Sequence, residues 1–269
     1  MSELADDPTN RDTAAGTDRP AFVVCLYRFT GDVEKMVKFL GVIGLHRSGV
    51  RDGDGFTYLW GRAGMVALFD ASSGEAPVAL GETQLTFDTD DAAAAAGLLR
   101  GAGHQVVDVD EPDSPALGVA DPSGHGLRIK QSFRDAADVE DEGAVEPVDV
   151  IAVRYSSDFA ADTDFFATMG FRPDPGSQHW QPLVGPGDAG VVGLHPPAPN
   201  SAEGTAPSSA VGTPALAELA LQIDGDLSAL AARLEAAGHT SEDISERVHH
   251  PALAVVDPDG VRLQVHAIG

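Results

Sequence analysis

The stretch "ADPSGHGLRIKQ" at 120–131 returns as "VDPDGVRLQVHA" at 256–267. Each is an Asp-Pro-x-Gly turn followed by a strand of alternating polarity. Asp121 and Asp257 stand 136 positions apart (257 − 121), about half of the 269-residue chain. A second pair keeps step with the first: "LLRGAGHQVV" (98–107) and "RLEAAGHTSE" (233–242), each a helix end closed by Gly. The element recurs because the half recurs, so the chain is read as two like bodies.

Each half divides again. Residues 22–28, "FVVCLYR", read as a strand, and "DVEKMVKFLGVIGL" (32–45) places Val33, Met36, Val37 and Leu40 on one helix face. "GFTYLWGRAGMVALFD" (55–70) reads as a hairpin around Gly-rich turns. The order then repeats: "TQLTFDT" (83–89) as strand, "DDAAAAAGLLRGAG" (90–103) as helix, and a hairpin ending in "ADPSGHGLRIKQ". Residues 148–195 and 215–268 run through it twice more, with Leu227, Leu230, Ala231 and Leu234 as the apolar face of the last helix. The fold class is α+β, with four βαβββ units. Residues 1–20 read as a disordered tail, 21–133 as the first domain, 134–147 as an acidic linker and 148–269 as the second domain. A Pro- and Ser-rich stretch over 195–214 reads as a long loop.

These residues carry a resemblance. "KFLGVIGL" and "DFFATMGF", after the first helix of each half, resemble the Phe-Tyr…Leu-Gly-Leu/Phe signature of the glyoxalase/bleomycin-resistance family, the vicinal oxygen chelate superfamily that includes extradiol dioxygenases. The Asp-Pro-x-Gly turn before a final strand is similar to that family's closing motif. The resemblance covers 21–133 and 148–268. It implies two tandem glyoxalase-like domains, each a curled mixed sheet around a cup with helices outside.

Composition narrows the partners. The formal charge is −25, from 42 acidic against 17 basic residues. Such a surface repels phosphate backbones and argues against nucleic acid. No apolar run approaches the ~18 residues of a membrane span, so no membrane partner is expected. The polar, acidic start lacks the features of a signal peptide. Cys25 is the single cysteine, which excludes an internal disulfide and a Cys-rich zinc site. A cytoplasmic monomer or homodimer is the expectation.

Strand alternation sorts the faces. In the closing strands Leu127, Ile129, Val261, Leu263 and Val265 should pack under helices. Arg128 and Lys130, and Arg262, Gln264 and His266, should then face the cups. Gln84 and Thr86 face the first cup, and Glu218, Ala220 and Gln222 the second. In the opening strand Val24, Leu26 and Arg28 are placed inward. By resemblance, metal-dependent members hold one divalent ion per cup with His, Glu or Gln from the first and last strands of each unit. Those positions fall here at Val24, near Ala67, Gln84 and Arg128, and at Ile151, near Gly193, Glu218 and Gln264. Valine, alanine, isoleucine and glycine offer no donor, and arginine repels a cation. Both halves depart from the metal pattern, so no metal ligand is assigned.

The first reading is therefore a metal-free protein that binds a small organic molecule, resembling the drug-sequestering members whose binding itself protects the cell. Its ligand-binding candidates are Arg28, Trp60, Gln84, Arg128, His195, Glu218, Gln264 and His266. Trp60 alternates with Tyr58 and Phe56, which reads equally as core or as cup wall, and Trp180 sits on the matching strand of the second half. The alternative is a lyase, isomerase or dioxygenase whose site is in the second cup. It would use one divalent metal there, or a metal-free acid–base pair of Glu218 with His266 or His195. A ligand sensor acting through a partner protein is a third option.

Overall fold

Every long helix among the described residues starts at an aspartate. Asp32, Asp91, Asp158 and Asp226 each accept a hydrogen bond from a backbone N–H two or three residues on, at Lys35, Ala94, Ala161 and Ser228. Such a cap contributes about 1 kcal/mol to its helix. The computed structural model describes residues 19–47, 56–73, 78–111, 114–131, 147–177, 179–197, 213–248 and 250–267. The expected tail and linker lie outside these, apart from residues 19, 20 and 147.

The first half runs β1 (Phe22–Thr30), α1 (Val33–Ile43), β2 (His46–Arg47), β3 (Phe56–Trp60) and β4 (Met65–Asp70). It continues with β5 (Thr83–Thr89), α2 (Ala92–Gly101), β6 (Val106–Val109), β7 (Ala116–Ala120) and β8 (Gly126–Gln131). The second half repeats the order with β9 (Val148–Tyr155), α3 (Phe159–Thr168), β10 (Arg172–Pro173), β11 (Gln181–Val184), β12 (Val191–His195), β13 (Glu218–Ile223) and α4 (Leu227–Ala236). It ends with β14 (Ser241–Asp243), the short α5 (Ser245–Val248), β15 (Ala252–Val256) and β16 (Arg262–Ala267). Each half forms one eight-stranded sheet, ordered β2-β3-β4-β1-β5-β8-β7-β6 and β10-β11-β12-β9-β13-β16-β15-β14. The first and last strands of each βαβββ unit pair in parallel, and the two units of a half meet along antiparallel β1–β5 and β9–β13.

The helices of both halves share one hydrophobic core. Phe87 of β5 touches Phe166 and Phe171 of the other half. The contacts come in reciprocal pairs. Phe39 of α1 stands edge-on to His239 beyond α4, and Phe165 of α3 to His104 beyond α2, each with ring centroids 4.9 Å apart. Gly64 and Gly190, both with positive φ, meet where the β3–β4 and β11–β12 turns cross; a Cβ on either would press on the other half. Such reciprocity is the signature of a two-fold contact, here within one chain.

The repeated Asp-Pro-x-Gly turn is the latch of this contact. Asp121 Oδ1 accepts from its own turn, from the N–H groups of Ser123 and His125 at 2.8 and 2.9 Å; Asp257 Oδ1 does the same with Asp259 and Val261 at 3.0 and 2.8 Å. The second oxygen of each meets an arginine of the other half. Arg154 of β9 lies 2.6 Å from Asp121 Oδ2, and Arg28 of β1 pairs with Asp257 Oδ2. All four side chains are at most 3% exposed. Arg28 also donates to the Gly81 carbonyl and to Thr83 Oγ1. This corrects the expectation that Arg28 lines the first cup. Val24 and Leu26 likewise pack under the helices, because β1 shows the cup its odd-numbered residues.

Candidate functional site

The first cup has an aromatic side and a polar side. Cys25, Tyr27 and Phe29 of β1 join Tyr58 and Trp60 of β3 and Phe69 of β4 in one cluster, with Tyr27 and Phe69 rings 4.9 Å apart. Trp60 is buried in this cluster. Across from them, β5 and β8 present Gln84, Thr86 and Asp88, then Arg128 and Lys130, with Thr86 beside Arg128 and Asp88 beside Lys130. Arg128 Nε lies 3.0 Å from Glu111 Oε1 and Lys130 Nζ 3.4 Å from Glu111 Oε2. Glu111, in the loop after β6, is not among the residues singled out from the sequence. The Gln84 amide donates to Glu82 at 2.7 Å, and Thr86 Oγ1 to the Cys25 carbonyl at 2.6 Å.

The chain leading into β13 of the second half roofs this cup. Ala215 exchanges backbone hydrogen bonds with Leu85 and Gly126, and Thr213 accepts from Gly126. Pro214 of this segment closes a cavity of about 70 Å³ lined by Tyr27, Gln84, Thr86, Gly126 and Arg128. Burial pushes the Cys25 thiol and the Tyr27 phenol well above their usual values, so both stay protonated at neutral pH.

The second cup is assembled from the same positions with different chemistry. Gln264 of β16 stands beside Ala220 of β13, and His266 beside Gln222. Arg128 and Gln264 therefore hold equivalent places, as the repeat implied. Glu218 is exposed and accepts from Tyr155 Oη at 2.8 Å. Tyr155 stands edge-on to His195, centroids 5.6 Å apart; burial and the Glu218 bond push its phenol up to about 12. His266 lies at the far end, its ring 4.9 Å from that of His250, and burial lowers it to about 4. Four residues of register separate Glu218 from His266, about 13 Å along the strands. The expected grouping of Glu218 with Gln264 and His266 is thus corrected: all face the cup, but Glu218 keeps company with Tyr155 and His195. The apolar part of the cup is Ile151, Val153, Val191 and Ala220 around Trp180.

No protein-family model matches this sequence, and no curated protein matches it. Solved structures do match. A catechol 2,3-dioxygenase is 11% identical with a TM-score of 0.58, covering 92% of this chain and 87% of its own. The 2,3-dioxygenase LapB from Pseudomonas sp. KL28 is 13% identical with a TM-score of 0.59, covering 93% and 92%. A Mn(II)-bound glyoxalase from Novosphingobium aromaticivorans is 16% identical with a TM-score of 0.55, covering 91% and 80%. The chain has the two-domain fold of these dioxygenases and of this glyoxalase. Identities this low establish the fold and leave the chemistry to the residues.

On this fold the donor set can be tested directly. In the first cup a permanent cation, Arg128, holds the closing-strand place, and the nearest opening-strand donor is the protonated Cys25 thiol. In the second cup Ile151 and Gly193 bring no donor, and the Trp180 ring lies on Gly193. Among the described residues no three His, Cys, Asp or Glu side chains converge as a metal set. At the ligand positions that the resemblance implies, these side chains offer few donors to a divalent ion. No described helix is long and apolar enough to cross a membrane.

Proposed function

We propose that this chain is a metal-free small-molecule-binding protein whose ligand site is the first cup, and whose task is to hold and sequester its ligand. One observation carries the reading: the guanidinium of Arg128. Its Nε faces Glu111, no hydrogen bond to a described residue holds its terminal Nη groups, and the side chain lines the cavity with Tyr27, Gln84 and Thr86. A guanidinium fork presents parallel N–H donors that suit a carboxylate or similar oxygen pair. The wall of Tyr27, Tyr58, Trp60 and Phe69 beside it suits a flat, unsaturated body. The preferred ligand is therefore an aromatic acid, bound head-first on Arg128. A cavity of about 70 Å³ takes the head group only. Drug-sized sites run from ~300 Å³ upward, so binding a whole ring also shifts the Pro214 roof or the aromatic wall.

Of the two acid–base pairings in the second cup, Glu218 with His266 loses support because the two stand apart, while Glu218 and His195 meet only through Tyr155 at the exposed rim. The test is calorimetry with a panel of aromatic acids and their neutral amides on wild type and Arg128→Met. Acids should bind wild type at least about tenfold tighter than their amides, a difference of about 1.4 kcal/mol, and the preference should vanish in the variant. Equal affinities, unchanged by the substitution, would overturn the reading.

A further inference from the structure

The apolar side of the second cup is filled by its own chain. Trp180, just ahead of β11, lays its six-membered ring on Gly193 of β12 so closely that a Cβ at 193 would stand inside the ring's van der Waals envelope. Ile151, Val153, Val191 and Ala220 complete an apolar nest around the indole. Strand register puts Trp180 where Phe56 stands in the first cup, and Gly193 where Ala67 stands. The places of Tyr58 and Trp60 are taken by Pro182 and Val184. One large ring over a glycine thus replaces a wall of three aromatics.

Nothing polar fastens that ring. The segment around it is tied by backbone hydrogen bonds between Ser177 and Trp180, and no hydrogen bond among the described residues reaches the indole nitrogen. Residues 172–177 and 179 are exposed, and Trp180 itself is partly exposed. The ring is held by contact area and excluded water, which for an indole is a large quantity. A side chain tethered to its site also avoids the translational and rotational cost that a free molecule meets on binding.

We infer that Trp180 is a built-in plug: it holds the second cup shut against free ligands, and the space it fills admits a flat bicyclic aromatic only when the ring is gone. An apolar cavity left by removing a large side chain stays dry and takes an apolar aromatic guest. The plug also explains the division of labour between the halves. The first cup keeps its polar floor and open fork, and the second is closed by design of the same strand positions.

The test uses indole as the probe. Trp180→Ala should bind indole saturably, by calorimetry and by a rise in Tm with indole concentration, at least about tenfold tighter than wild type, in which the tethered ring competes. Equal binding by both proteins, or none by a folded Trp180→Ala, would overturn the inference. Gly193→Ala in a Trp60→Phe background gives a second readout that needs no cavity. The added methyl should expel the ring and move the emission of Trp180 to the red. Unchanged emission in that protein would overturn the inference just as firmly, whether or not Trp180→Ala folds.

Discussion

Arg28→Met should loosen the whole molecule, although residue 28 lies outside both cups. The guanidinium is 2% exposed and the facing Asp257 carboxylate 0% exposed. Burial pushes the Asp257 carboxyl above its usual value, and the Arg28 charge and two turn N–H groups offset this only in part. Removing Arg28 strands that carboxylate in the domain contact. A buried charge that loses its partner costs about 3–5 kcal/mol, a large share of the ~5–15 kcal/mol that holds a typical domain together. Adding Asp257→Asn keeps an acceptor for the turn N–H groups and removes the stranded charge, so the double variant should regain about 2 kcal/mol over Arg28→Met alone. Urea unfolding followed by fluorescence measures this. Trp60 belongs to the first half and Trp180 to the second, so Trp60→Phe and Trp180→Phe proteins report each half separately. With the latch intact the two midpoints should coincide; in Arg28→Met they should separate. A loss below about 1 kcal/mol, or a double variant that is simply additive, would refute the latch as a buried, coupled pair.

The other consequences are local. Glu111→Gln releases both Arg128 and Lys130, so affinity for an aromatic acid should rise about tenfold, or 1.4 kcal/mol, while affinity for the matched amide stays level in the same calorimetry. His266 is lowered to about 4 in the folded chain from an ordinary 6.5. The unfolded chain then takes up the proton first, so stability present above pH 6.5 should be lost as pH falls toward 4. Partial exposure of the ring keeps the loss at or below about 3 kcal/mol. Urea unfolding across that range should show a shallower slope in His266→Gln, and an unchanged slope would count against the depressed imidazole.

How far the sequence was legible depends on how each strand is buried. β8 and β16 alternate cleanly because one face packs under helices and the other meets the cup, so Arg128, Lys130, Gln264 and His266 were placed on the correct side. β5 was read at its exact limits for the same reason. β1 is buried on both faces, with apolar residues on each, so its run of "FVVCLYRFT" carries no alternation to follow. The one charged residue in it, Arg28, invited a cup-facing placement, and its partner Asp257 lies 229 residues away, beyond any local pattern. A signal was nonetheless present. Arg28 and Arg154 hold the same place in β1 and β9, as Asp121 and Asp257 do in their turns, and a repeated buried-strand arginine matched to a repeated turn aspartate points to a swapped pair. Glu111 could not be placed because the loop after β6 has no periodicity. The plug of Trp180 on Gly193 needed the register of β11 on β12, which a four-residue strand does not fix by itself.

The most direct test of metal-free binding in the first cup is titration of an aromatic acid into the protein after exhaustive dialysis against a chelator, and again after adding back Mn²⁺ or Fe²⁺. The acid should bind with the same affinity in both, and Arg128→Met should abolish its advantage over the amide in both. Binding that disappears with the chelator and returns with the metal would contradict the account.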